Sequence, residues 1–109
     1  MSCCSEGHES PAEGAGQIRQ MFQEFLKSAA APGALDGRTK RAIAIALSVL
    51  AKCEPCLKIH VQKAREMGFS QDEIDEAAWL AIAFGGSPTM MFYKENLSPH
   101  TAISPQANP

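Results

Sequence analysis

Apolar residues recur along this chain at helical spacing. Ile18, Met21, Phe22, Phe25, Leu26 and Ala29 follow the i, i+3, i+4, i+7 stripe of a helix with one apolar face, and Pro32-Gly33 closes that segment. Asp36 or Thr39 is placed to cap a second helix through Ala42-Ile43-Ala44-Ile45-Ala46-Leu47-Ser48-Val49-Leu50. That run is apolar all round, so burial on every face is expected. Pro55 suits the first turn of a third helix. Cys53, Cys56, Leu57, His60, Val61 and Ala64 then share one face, predicted to pack inward, and Gly68 supplies the stop. Ser70 followed by Glu73 predicts a capping box opening a fourth helix along Ile74, Ala77, Ala78, Ala81 and Ile82. Gly85-Gly86 ends it, and Ser87-Pro88 starts a short fifth helix carrying Met90, Met91, Phe92 and Tyr93. No stretch alternates with period two, so the expected class is all-α, with about five helices.

The periodic part covers residues 17–97. Residues 1–16 and 98–109 have no apolar period, and the second stretch carries Pro99, Pro105 and Pro109. A mobile leader and tail, dispensable for folding, are expected there. The 109 residues supply one domain. A second helix apolar on all sides is more than so short a chain can bury, which predicts a homo-oligomer.

With 10 basic against 12 acidic residues, the chain lacks the basic stripe of a nucleic-acid binder. No apolar run reaches the roughly 18 residues of a membrane span. The first residues, Met1-Ser2-Cys3-Cys4-Ser5-Glu6, do not form a secretory signal, so a cytoplasmic location is expected.

In that setting four cysteines point to chemistry before staples. Cys53-Glu54-Pro55-Cys56-Leu57-Lys58-Ile59-His60 places a C-x-x-C at a helix start. Cysteines three apart there can approach within disulfide reach, and the exposed N–H groups of the helix favour a thiolate. His60 follows Cys56 by one turn, close enough to accept a thiol proton. On that spacing Cys56 is the expected reactive thiol and Cys53 the resolving one, with the order swapped if the helix tip outweighs the imidazole. The same residue types are zinc ligands, so a metal-binding or redox-sensing module without turnover is the alternative. Cys3, Cys4 and His8 are a further set of soft-metal ligand types in the leader. Glu66, Asp72 and Asp75 look like solvated helix faces.

The stretch from Thr39-Lys40-Arg41-Ala42-Ile43 through Cys53-x-x-Cys56-x-x-x-His60 resembles the alkylhydroperoxidase D-like branch of the carboxymuconolactone decarboxylase family. So does the run from Gly68-Phe69-Ser70 through Glu73-Ile74 and Glu76-Ala77 to Gly85-Gly86-Ser87-Pro88. The resemblance implies an all-helical subunit assembling into trimers or hexamers, and a thiol peroxidase or disulfide reductase that uses no bound cofactor. It assigns catalysis to Cys53, Cys56 and His60. The substrate would be a peroxide or a disulfide, and the electron donor a thioredoxin-like or lipoyl partner. The decarboxylase branch of the same family is a further alternative. In the family's peroxidases a glutamate twelve residues before the first cysteine relays protons. Here that position is Arg41, which cannot act as a base and is assigned instead to stabilising a thiolate or holding an acidic substrate group. Glu24, Glu73 and Glu76 are the candidates to replace the relay acid.

Overall fold

The computed structural model describes residues 11–97, and it divides the chain into two units, one ending at Ala31 and one beginning at Pro32. Cys3, Cys4, His8, His100 and the expected tail lie outside the described residues. The five helices are α1 (Pro11–Ala30), α2 (Gly37–Leu50), α3 (Glu54–Glu66), α4 (Gln71–Gly85) and α5 (Ser87–Asn96). The all-α expectation holds. Among the described residues no helix is long and apolar enough to cross a membrane.

The first unit is α1. It begins at Pro11, so Pro11 to Gly16, expected as part of the leader, are helical. Gly14 and Gly16 weakened that prediction, because each costs about 1 kcal/mol of helix propensity relative to Ala. A proline at the helix start removes no bond the helix needs. The expected stripe forms, with Phe22 and Phe25 stacked at 6.2 Å between ring centroids. Ile18, Met21, Phe22, Phe25 and Leu26 are all exposed.

In the second unit α2 packs against α3, α4 and α5, and α5 also packs on α4. Asp36 caps α2 by accepting the Thr39 amide, which settles the choice between the two candidates. Ile45 and Val49 of α2 meet Leu57, Val61 and Ala64 of α3, Ile74, Ala78 and Ala81 of α4, and Tyr93 in one core. Within the single chain α2 is not buried all round, in keeping with a chain too short to cover a helix apolar on every side. Ile45, Ser48 and Val49 are buried, whereas Ile43, Leu47 and Leu50 are exposed. The three neighbouring helices cover only one side of α2.

The turns are built by specific backbone devices. At the end of α3, the Gly68 amide donates to Arg65 and the Phe69 amide to Ala64, with Gly68 at φ 92°. This is the Schellman arrangement, and it favours glycine because an L side chain is strained at that φ. The predicted capping box forms at Ser70 and Glu73. At Gly85 the constraint is space: an added Cβ would sit 2.9 Å from Thr89 Cβ and 3.1 Å from Leu50 Cδ1. Asp75 is no solvated face. It accepts from the Tyr93 hydroxyl and from Gln71, tying α5 to α4.

The same Schellman arrangement ends α2, with Lys52 in the glycine position. Lys52 donates to Val49 and Cys53 to Ser48, and Lys52 has φ 55°. The pairing turns the chain into α3 and delivers Cys53 to its tip. Lys52→Gly relieves the left-handed strain of an L residue but increases the freedom of the unfolded chain. A net gain of about 0.5 kcal/mol is expected, read as a higher urea midpoint.

Candidate redox site

The first turn of α3 carries the two cysteines. Cys53 is the N-cap residue, and its Sγ accepts the backbone N–H of Cys56 at 3.3 Å. Pro55 lies in this turn, where its missing N–H costs no helical bond. The two Cα atoms are 5.3 Å apart, within the span a disulfide bridges, and Cys53 and Cys56 are joined as one. Both residues are half-buried. Leu57, next along, is fully buried and anchors the turn to the core. Glu54, between the cysteines, pairs with Lys58 at 3.0 Å.

His60 stands one turn beyond Cys56, half-buried. Arg41 reaches it from α2, with Nη1 2.6 Å from His60 Nδ1. Arginine only donates, so Nδ1 accepts. Arg41 Nε is buried and has no hydrogen-bond partner. Burial lowers the His60 pKa most, and the positive charges of Arg41 and Lys63 lower it further. Arg41, at the position where a relay glutamate was expected, is therefore in direct contact with His60. Of the candidate replacement acids, Glu73 is engaged by the Ser70 amide and by Arg38 at 2.8 Å. Glu24 accepts from Gln20 on α1, and Glu76 is exposed. Among the described residues, no group of three or more His, Cys, Asp or Glu side chains could hold a metal ion.

Burial of His60, reinforced by the charge of Arg41, makes folding sensitive to mild acid. His60 has its ordinary pKa of 6.5 in the unfolded chain and a lower one in the fold. Below pH 6.5 the unfolded chain therefore binds the extra proton first, and stability falls as the pH drops through the interval between the two pKa values. Asp36 and Glu73, with carboxyls held below their usual range, add their losses only at lower pH. Urea midpoints measured between pH 7.5 and 5.5 should fall, and His60→Gln should flatten that dependence.

Sequence spacing placed Cys53, Cys56 and His60 on one helix face. It did not predict the contact between Arg41 and His60, or the disposition of Lys52. Arg41 is the last of three basic residues in the first turns of α2, directly ahead of its apolar run, and that was the available signal.

Residues 16–94 match the model of the carboxymuconolactone decarboxylase family. An uncharacterized protein of the cox locus of Paracoccus denitrificans is 41% identical over 64 residues, which cover 59% of this chain and 58% of that protein. An uncharacterized protein of Cupriavidus necator is 29% identical over 83 residues, 76% of this chain and 74% of its own length. Among solved structures, a carboxymuconolactone decarboxylase family protein of Legionella pneumophila superposes with a TM-score of 0.70 at 30% identity, covering 77% of this chain and 75% of the other. A Thermotoga maritima protein of that family, with a suggested part in an antioxidative response, gives 0.68 at 26% identity, covering 73% and 82%.

Proposed function

This chain belongs to the carboxymuconolactone decarboxylase family, and within it we propose an alkylhydroperoxidase D-like thiol–disulfide oxidoreductase whose working pair is Cys53 and Cys56. The observation that carries this reading is the pair itself, joined as a disulfide at the N-terminus of a helix. In the forward direction the dithiol reduces a peroxide to an alcohol and water, or a disulfide to two thiols. Two electrons leave the cysteines, which close their own disulfide. A thioredoxin-like or lipoyl dithiol then reopens it and is itself oxidised. The reducing cytoplasm would maintain such a cycle. His60 follows Cys56 by one turn of α3 and is held by Arg41.

The test uses reduced protein with Cys3 and Cys4 replaced by serine, so that only the pair reports. Addition of an alkyl hydroperoxide, or separately of a low-molecular-weight disulfide, should remove two titratable thiols per chain, and a dithiol should restore them. Thiols untouched by both oxidants would overturn the reading. So would a single cycle with no turnover when the dithiol is supplied in excess.

The working form is proposed to be a homo-oligomer, a trimer or hexamer. Ile43 and Leu47 of α2 line a groove with Trp79 and Leu80 of α4, and all four are exposed in the single chain. Sedimentation at micromolar concentration should give a mass of several chains. A one-chain mass would overturn the proposal.

A further inference from the structure

We propose that Arg41 is a positioning residue: it holds His60 neutral with the proton on Nε2, and so makes Cys53, not Cys56, the sulfur that attacks substrate. The inference rests on the dithiol reading above. Arginine carries five N–H donors, no acceptor and a permanent charge. With Nη1 at 2.6 Å, Nδ1 must present its lone pair, and the single proton of the neutral ring resides on Nε2. A second proton would enter at Nδ1, setting N–H against N–H and imidazolium against guanidinium. The charges acting on the ring are Arg41 from α2 and Lys63 from α3 itself, both positive. Neither would stabilise an imidazolium. His60 therefore accepts no proton from Cys56 unless Arg41 is first displaced.

Stabilisation of a thiolate then falls to the N-terminus of α3. Its Cys56 amide is directed at Cys53 Sγ, 3.3 Å away, and Cys53 occupies the N-cap position where the helix field favours negative charge. A thiolate at Cys53 keeps that hydrogen bond and strengthens it. The expectation from histidine spacing alone is thus reversed.

For a disulfide substrate R–S–S–R, the Cys53 thiolate attacks one sulfur, the S–S bond breaks, and one RS⁻ leaves. Cys56 then loses its proton to solvent and attacks Cys53 Sγ. The second RS⁻ leaves and the intramolecular disulfide closes. Two electrons have passed from the dithiol to the substrate, and the two protons released by the cysteines are recovered in two RSH. With a peroxide, the first step breaks the O–O bond and leaves a sulfenic acid on Cys53 and an alkoxide that takes up a proton. Cys56 then closes the disulfide with loss of water.

The test again uses the reduced full chain with Cys3 and Cys4 replaced by serine. Nitrogen-15 spectra of the histidine rings at pH 7 should show His60 Nδ1 bare and Nε2 protonated. Arg41→Glu should move the proton to Nδ1, since a carboxylate accepts there. Arg41→Lys, which keeps a donor and a charge, should preserve the native tautomer. The second readout is alkylation by iodoacetamide. Cys53, measured alone in Cys56→Ser, should react on the order of tenfold faster at pH 7 than Cys56 measured alone in Cys53→Ser, because the thiolate and not the thiol is the nucleophile. Arg41→Glu should narrow or invert that ratio while the far-ultraviolet helical signal stays intact. A proton on Nδ1 in the Arg41 chain would overturn the inference, and so would Cys56 being the faster thiol there. If Arg41→Glu unfolds the chain, the tautomer and the rate ratio of the Arg41 protein decide alone. Neither readout needs turnover. Failure to reduce any peroxide or disulfide would overturn the proposed function and leave these measurements free to decide the role of Arg41.

Discussion

Cys53→Ser is expected to lower peroxide or disulfide turnover on the order of a thousandfold or more, as loss of an attacking group does in enzymes that use one covalently. The loss is chemical and not structural. Serine is among the preferred N-cap residues, and its hydroxyl can accept the Cys56 amide that Cys53 Sγ accepts now. Helix α3 should therefore keep its start and its register on the core. A serine hydroxyl at neutral pH is almost wholly protonated and has no base beside it, because His60 is engaged by Arg41. Cys56→Ser should abolish turnover to a similar degree by a different route. The Cys53 thiolate still attacks once, but no second sulfur releases the product. Intact mass after exposure to a small disulfide should show one mixed-disulfide adduct on Cys56→Ser and little or none on Cys53→Ser, both in the background lacking Cys3 and Cys4. Turnover is followed with a dithiol donor in excess. The paired measurements separate a missing nucleophile from a missing resolving thiol.

The largest stability effect is expected at Leu57, the residue that follows Cys56. Its side chain is fully buried among α2, α3 and their neighbours. Leu57→Ala removes buried methyl and methylene groups and leaves a cavity that the packed helices fill only in part. Such changes cost about 2–5 kcal/mol. The whole stability of a domain this size is on the order of 5–15 kcal/mol, so the variant should sit near the edge of folding. Urea unfolding should show a much lower midpoint with little change in slope. Ile59→Ala, two residues on and exposed, is the matched control and should shift stability by about 0.5 kcal/mol or less. Leu57 also ties the cysteine turn to the core. Its loss should loosen the site before the chain unfolds globally, seen as faster alkylation of the reduced pair in native buffer.

The helical class, the turns at the two ends of α4 and the placement of the cysteine pair were legible in the sequence because each depends on neighbours a few residues away. The apolar period of Ile74, Ala77, Ala78, Ala81 and Ile82 names the buried face of α4, and all five residues are buried. Ser70 with Glu73 names its start, and Gly68 names the end of α3, through bonds that span three to five residues. Two local features misled. Gly14 and Gly16 lowered the helical signal ahead of Gln17, although α1 begins at Pro11. Lys52 takes a left-handed conformation with no glycine to announce it. There the bonds from Lys52 to Val49 and from Cys53 to Ser48 hold the backbone against its own preference.

What the sequence by itself determined is the set of helices, their faces and caps, and the adjacency of Cys53, Cys56 and His60 on one turn-spaced stripe. What only the tertiary structure decided is which charges meet. Arg41 and His60 are 19 residues apart on different helices, and no period within either helix relates them. Packing of α2 on α3 brings a guanidinium against an imidazole, and the same packing leaves Ile43 and Leu47 facing outward. Asp75 and Tyr93, 18 residues apart, meet for the same reason. Local hydrogen bonds and hydrophobic periodicity are written in neighbouring residues. Pairing between helices depends on the rotation and crossing of two packed cylinders, which the summed fit of the whole core sets.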